Sequence, residues 1–376
     1  MRVHKRSLIT LIYTSLMMLA CLGTQQQCLA QNASEGLLPI KQGGKWGYIN
    51  RSGEVIIKPQ FDSAEPFAEG LALVRYPPRK RPLKPGEKTA ELTEGRGFID
   101  QTGKVIIELD NPLHLNGESF SEGLTKYWTW DPGKGNRYGY IDTTGKVVIK
   151  ARFTAAYSFV DGLAAVCIEW QKCGFINKAG DFVIEPKYRV TDSFREGLAL
   201  AGFEYLLIGF VNKNGEMVIE PQFGNLIGTG FSEGLSVVAY QWGKYGYINT
   251  EGAIVIPMQF EMAQPFSDGL AAVRVDSKWG YIDKTGKFVI EPQFKGAGPF
   301  SEGLAPVGNV DFRSATRSDD EEATAATGFI DKQGKMVFSL PFDTATGFVN
   351  GIARVGVDVK SGYIDKTGKY IWPPSN

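Results

Sequence analysis

Histidine is almost missing from this chain. It occurs twice in 376 residues, and only His114 lies outside the extreme N-terminus. A serine–histidine relay or a histidine-ligated metal centre needs imidazoles in convergent positions, so hydrolytic and zinc chemistry of that kind has no basis here. Cysteine is nearly as scarce, at four, and only Cys167 and Cys173 lie beyond the first thirty residues, two thiols that do not by themselves complete a zinc site. Neither charge is in excess: 41 Lys and Arg stand against 41 Asp and Glu. A neutral balance offers no field for nucleic acid or an anionic bilayer. No Gly-rich loop ends in Gly-Lys-Ser/Thr, the pattern that cradles phosphate. Beyond the first thirty residues no long apolar run occurs.

The N-terminus has its own logic. Arg2, His4, Lys5 and Arg6 precede the apolar run from Leu8 to Gly23, which is shorter than the roughly 20 residues a membrane span needs. With Cys28-Leu29-Ala30 following, the pattern predicts a signal peptide over 1–30, cleaved after Ala30. A rival reading takes Met18-Leu19-Ala20-Cys21 as a lipoprotein signal with the lipid on Cys21, although Leu19 is bulky where a small residue is usual. Either way the chain is expected to be exported, to the periplasm or beyond.

What the sequence does have is a repeated phrase. Gly-(Tyr/Phe)-(Ile/Val)-(Asp/Asn)-x-x-Gly begins at Gly47, Gly97, Gly139, Gly174, Gly209, Gly246, Gly280, Gly328 and Gly362. Recurrence at roughly 35 to 50 residues marks stacked supersecondary units. They fill residues 31–376, beginning near 36, 70, 123, 162, 197, 234, 269, 303 and 351. In the version from Phe266 to Phe294 three short strands are predicted: Leu270 to Val275, Trp279 to Asp283, and Phe288 to Glu291, with Pro292 stopping the third. Asp283-Lys284-Thr285-Gly286 supplies a hairpin turn, Asp bonding the turn backbone and Gly supplying positive φ. Alternation puts Trp279 and Tyr281 on one face, Gly280 and Ile282 on the other. Both faces are apolar or bare, so each sheet is expected to be covered on both sides, with Gly admitting a second backbone or ring.

These residues resemble the bacterial WG (KWG) repeat family, most closely at Lys45-Trp46-Gly47-Tyr48-Ile49 and Lys278-Trp279-Gly280-Tyr281-Ile282. Elsewhere the Trp slot holds Arg96, Tyr138, Cys173, Ile208, Tyr245, Thr327 or Ser361. The resemblance implies an exported or surface-associated protein of undefined role and brings no catalytic residues. The fold expected is all-β: a tandem array of nine three-stranded antiparallel units. An open, solenoid-like superhelix is favoured over a closed propeller-like ring, because propellers usually have 4 to 8 four-stranded blades and no unit is split between the termini.

Function is sought where the repeat breaks. Three turns between the first and second strands are long: Tyr76 to Gly95, with Arg79, Lys80, Arg81 and Lys84; Thr125 to Arg137, with Tyr127, Trp128 and Trp130; and Asn309 to Thr327, with Asp319, Asp320, Glu321 and Glu322. Equivalent loops share one edge, often the binding edge. Tyr127, Trp128 and Trp130 are the binding candidates, suited to a sugar or a peptide, against the bland alternative of burial on a neighbouring unit. Cys167 and Cys173 flank a hairpin turn and are expected to form a disulfide in an oxidising compartment.

Other motifs are set aside. Ser232 fits Gly-x-Ser-x-Gly, but Ala68, Val160 and Arg195 fill its slot elsewhere. Asp142 begins a turn whose Asp exchanges with Asn50, Asn177, Asn212 and Asn249, which a catalytic carboxylate could not do. Glu69, Glu122, Asp161, Glu196, Glu233, Asp268 and Glu302 precede Gly and read as turn formers, a calcium role being a minor alternative. His114 reads as structural. No metal, cofactor or catalytic residue is assigned. The leading expectation is a monomeric, non-enzymatic scaffold binding a protein or an envelope glycan through its long turns, and the alternative a purely structural envelope protein.

Overall fold

The computed structural model describes residues 36–78, 95–109, 119–169, 172–203, 207–224, 230–239, 243–308, 326–358 and 360–375. The signal segment, Cys21, His114 and the charged cores of the turns at 76–95 and 309–327 lie outside them. The described residues hold strands and turns and no helix. They form nine antiparallel sheets, numbered here as blades 1 to 9 by their first long strand: Leu38–Gln42, Ala72–Arg75, Leu124–Asp131, Ala164–Glu169, Leu198–Gly202, Leu235–Ala239, Ala271–Val275, Leu304–Gly308 and Ile352–Val357.

Blade 7 shows the unit. Ala271–Val275 pairs with Lys278–Ile282, which pairs with Phe288–Phe294. The third strand therefore runs through Pro292, where the sequence had it stop. Its register slips between the pairs Trp279↔Phe294 and Tyr281↔Ile290, so Pro292 sits in a bulge where no ladder bond is required of it. The bulge folds onto Gly280: a Cβ there would lie 2.6 Å from Ile290 O and 2.7 Å from Pro292 N. This is the close backbone approach expected of the repeated Gly.

Six of the nine sheets carry a fourth strand of two residues, such as Met262–Ala263 in blade 7. It follows the third strand of the preceding blade almost at once, and two residues show no periodicity, so this connector between blades carries no strand signal in the sequence. A Phe three residues on then anchors it. Phe266 packs its ring 4.9 Å from Tyr247 of blade 6, as Phe300 does 4.8 Å from Tyr281 of blade 7. Each sheet is covered on both faces. Ile282 joins a core with Tyr247, Ile256 and Phe260 of blade 6, while Trp279 and Tyr281 join one with Phe300, Ala305 and Val307.

The nine blades close into a β-propeller ring, the alternative to the open superhelix. Leu38, Ile40 and Ile49 of blade 1 bury against Tyr363 of blade 9. Tyr363 Oη donates to Pro39 O at 2.9 Å, Ser375 Oγ to Lys41 O at 2.6 Å, and Arg51 Nη1 to Asn350 O at 3.2 Å. Chain ends in phase with the repeat do not prevent closure, because the last blade meets the first through the same surfaces that join neighbours. One difference remains at this seam. In blade 2 the carbonyls of Arg75 and Leu73 accept backbone N–H groups from Asp62 and Glu65, which flank a two-residue strand. Blade 1 shows no such strand among the described residues. Its equivalent carbonyls, Lys41 and Pro39, take side-chain hydroxyls instead.

Candidate functional site: the two rims of the ring

One rim carries the Ser-Glu-Gly turns and the Asp/Asn-x-x-Gly turns together. The acidic residues there adopt positive φ, from 51° at Glu69 and Glu196 to 56° at Asp161 and Asp268, which confirms them as turn formers. Their carboxylates reach the next blade. Gly123 N donates to Glu69, Gly162 N to Glu122, Gly234 N to Glu196, Gly269 N to Glu233, Gly303 N to Asp268 and Gly351 N to Glu302. A lysine from the following blade's turn joins five of the acidic residues: Lys178 to Glu122, Lys213 to Asp161, Lys284 to Glu233, Lys332 to Asp268 and Lys366 to Glu302. At the seam Arg51 stands in the lysine position and Asn350 in the acidic one. Aligning the second residue of the Asp/Asn-x-x-Gly turns would have revealed these basic residues, which the sequence reading passed over.

The serines on this rim are likewise engaged. Ser232 Oγ donates to Phe266 O at 2.7 Å, Ser121 Oγ to Phe159 O and Ser267 Oγ to Phe300 O, each across a blade boundary. Asp142, Asp283 and their counterparts accept hydrogen bonds from within their own turns; Asp283 Oδ1 takes Thr285 N, Thr285 Oγ1 and Lys287 N. The Thr285 hydroxyl, with those backbone donors, holds the Asp283 carboxyl below its usual range. Burial alone would raise Asp268 and Glu302, yet hydrogen bonds from Lys332 and Gly303, and from Lys366 and Gly351, bring both below theirs. Among the described residues no group of three His, Cys, Asp or Glu could hold a metal ion.

The opposite rim carries the turns between first and second strands. Thr125 to Arg137 is not a loop, as the sequence reading had it, but strand: Leu124–Asp131 pairs without a break with Gly135–Asp142. Alternating β-branched and aromatic residues favour extension, which a search for broken repeats mistakes for insertion. The three aromatic candidates are divided by it. Tyr127 is buried on one face, its Oη accepting from Ala151 N at 3.0 Å; blade 3 has Ala151 where blade 7 has Pro292, so an N–H is there to be met. Burial raises the Tyr127 hydroxyl pKa. Trp128 and Trp130 share the other face, Trp128 half-buried and Trp130 64% exposed.

Cys167 and Cys173 form a disulfide across directly paired strand positions. Trp279 is buried and Trp46 half-buried, so the Trp of the repeated phrase is a packing residue. Tyr48 and Tyr281 are buried, their hydroxyls donating to Glu65 O and Gly298 O of the next blade.

The profile of the WG containing repeat matches seven segments: 46–76, 138–169, 174–202, 208–240, 245–279, 279–309 and 328–358. No curated protein matches the sequence. Among solved structures, the computationally designed Ika8 protein is 11% identical with a TM-score of 0.46, covering 89% of this chain and 98% of its own. BamB from Moraxella catarrhalis is 11% identical with a TM-score of 0.44, covering 85% and 90%. AztD from Citrobacter koseri is 11% identical with a TM-score of 0.37, covering 73% and 90%. Scores at this level carry no argument about this chain. Among the described residues no helix is long and apolar enough to cross a membrane, which says nothing of strands.

Proposed function

The chain belongs to the family of WG containing repeats, and from that membership we propose that it is an exported, non-enzymatic scaffold whose role is carried by the shape and rigidity of its ring, a structural protein of the cell envelope. One observation supports this most. The repeated side chains capable of chemistry are engaged in holding the ring together, the serines on carbonyls of the next blade and the carboxylates on its glycine N–H groups and lysines. A nucleophile or base needs a lone pair directed at substrate. The Cys167–Cys173 disulfide fits an oxidising compartment and so supports export.

A cell-based substitution tests the reading. In a strain lacking the protein, the chain with both Trp128→Ala and Trp130→Ala is expected to restore envelope integrity, measured as resistance to detergent, as well as the unaltered chain does. If it fails while its scattering profile still reports a ring, shape alone is insufficient. A second reading, binding of a protein or envelope glycan through this rim, is favoured by the exposure of Trp130.

A further inference from the structure

The hairpin of blade 3 outreaches its counterparts. It pairs from Leu124↔Asp142 to Asp131↔Gly135, eight positions, where blade 7 pairs over five, from Ala271↔Ile282 to Val275↔Lys278. One extra pair, Leu124↔Asp142, lies at the base, and two, Trp130↔Asn136 and Asp131↔Gly135, lie beyond the position of Val275↔Lys278; at about 3.4 Å per residue they carry its tip about 7 Å beyond that of blade 7. On one face Trp128 opposes Tyr138 and Trp130 opposes Asn136. The base of this face is fixed, because Tyr138 packs against the core of Tyr140, Phe153 and Phe159. Its top is open: Trp130, at 64%, is the most exposed large apolar side chain among the described residues. Polar residues lie at its margin, Asn136 on the same face and Lys134 in the turn, with Asp131 and Arg137 on the far face.

We propose that this aromatic strip binds a chain of β-linked hexopyranose units, their CH-bearing faces stacked on Trp130 and Trp128 and their hydroxyls meeting the polar fringe. The proposal rests on the second reading above and names its ligand class. Area decides against a protein partner held by the strip alone. A stable protein interface buries about 800 Å² on each side, whereas each aromatic side chain offers about 150–250 Å² in all, and Trp128 and Tyr138 are already half-covered. A flat, narrow, rigid strip with hydrogen-bonding groups at its margin suits a ligand that is itself flat on one face and hydroxylated at its edges.

The test is a titration of the full chain with the β-1,4-linked tetramer of N-acetylglucosamine, and separately with that of glucose, followed by tryptophan fluorescence and calorimetry. Saturable binding of at least one tetramer is expected, weakened about tenfold or more by Trp130→Ala and unchanged by Thr129→Ala on the opposite face. Both variants should melt with the unaltered protein, because neither position is buried. Absence of saturable binding of both tetramers at millimolar concentration overturns the proposal, as does equal binding by Trp130→Ala. Should envelope extracts then yield a protein retained through Trp130, the glycan assignment falls while binding at this rim stands.

Discussion

At the scale of single residues, the repeat supplies its own controls. Ser236 and Thr125 occupy a position held by Ala72, Ala164, Ala199, Ala271, Ala305 and Ala353 in other blades. Both are buried, and neither hydroxyl has a hydrogen-bond partner among the described residues. Ser236→Ala is therefore expected to raise stability by about 0.5–1 kcal/mol, read by denaturant titration. Burial raises the pKa of Tyr48, Tyr127, Tyr247, Tyr281 and Tyr363, with Tyr363 reaching about 12. A raised native pKa keeps its contribution whole below the unfolded value near 10 and loses it as pH climbs toward the native one. Unfolding monitored against pH should accordingly steepen above about 10. Acid acts oppositely on Asp100, Asp142, Asp268, Asp283, Asp365 and Glu302, whose lowered values stabilise the fold above the ordinary carboxylate range and cease to do so below it. Glu65 and Asp192, raised by burial, oppose that loss. The turn roles of the Asp and Glu residues were legible because they recur before Gly. The lysines were not, since one lysine in a solvent-facing turn looks like any other.

Elements of the ring differ in what their glycines do. Gly280 is fixed by a neighbouring backbone, so Gly280→Ala must push the third strand off the second and is expected to cost about 3 kcal/mol. Gly269, at φ 85° with open space beside it, needs only its conformation, and Gly269→Ala should cost about 1–2 kcal/mol. Chemical denaturation of the pair distinguishes packing from backbone preference. Phe231, 2% exposed and 4.9 Å from Phe210, anchors one connector; Phe231→Ala is expected to cost about 3–5 kcal/mol, visible as a lowered melting temperature. The three main strands were legible from alternation and turn chemistry. The two-residue strand was not, being too short to show a period, and the passage through Pro292 was not, because it depends on a register slip that only pairing reveals. The blade 3 hairpin was misread for a related reason: an added length of strand and an added loop both interrupt a repeat in the same way.

Across the whole molecule, closure was the feature sequence could not decide, since the surfaces that join adjacent units in a file are those that join last to first in a circle. The seam is the slightest junction. Its core holds four buried residues, Leu38, Ile40, Ile49 and Tyr363, where that between blades 6 and 7 holds twelve. Hydrogen exchange at Leu38–Gln42 should therefore outpace that at Ala271–Val275, measured by mass spectrometry of the intact protein; equal protection would mean that the contacts of Tyr363 and Ser375 secure this strand as firmly as the larger core secures its counterpart. The grip of Arg51 on Asn350 extends around the junction the direction set by Lys284 on Glu233. The sense of the rim contacts thus runs unbroken through the seam. A gene permuted to begin at a boundary with a larger core, such as that between blades 6 and 7, with the old ends spliced by a short linker, should yield the same toroid and move the weakest junction away from the chain ends.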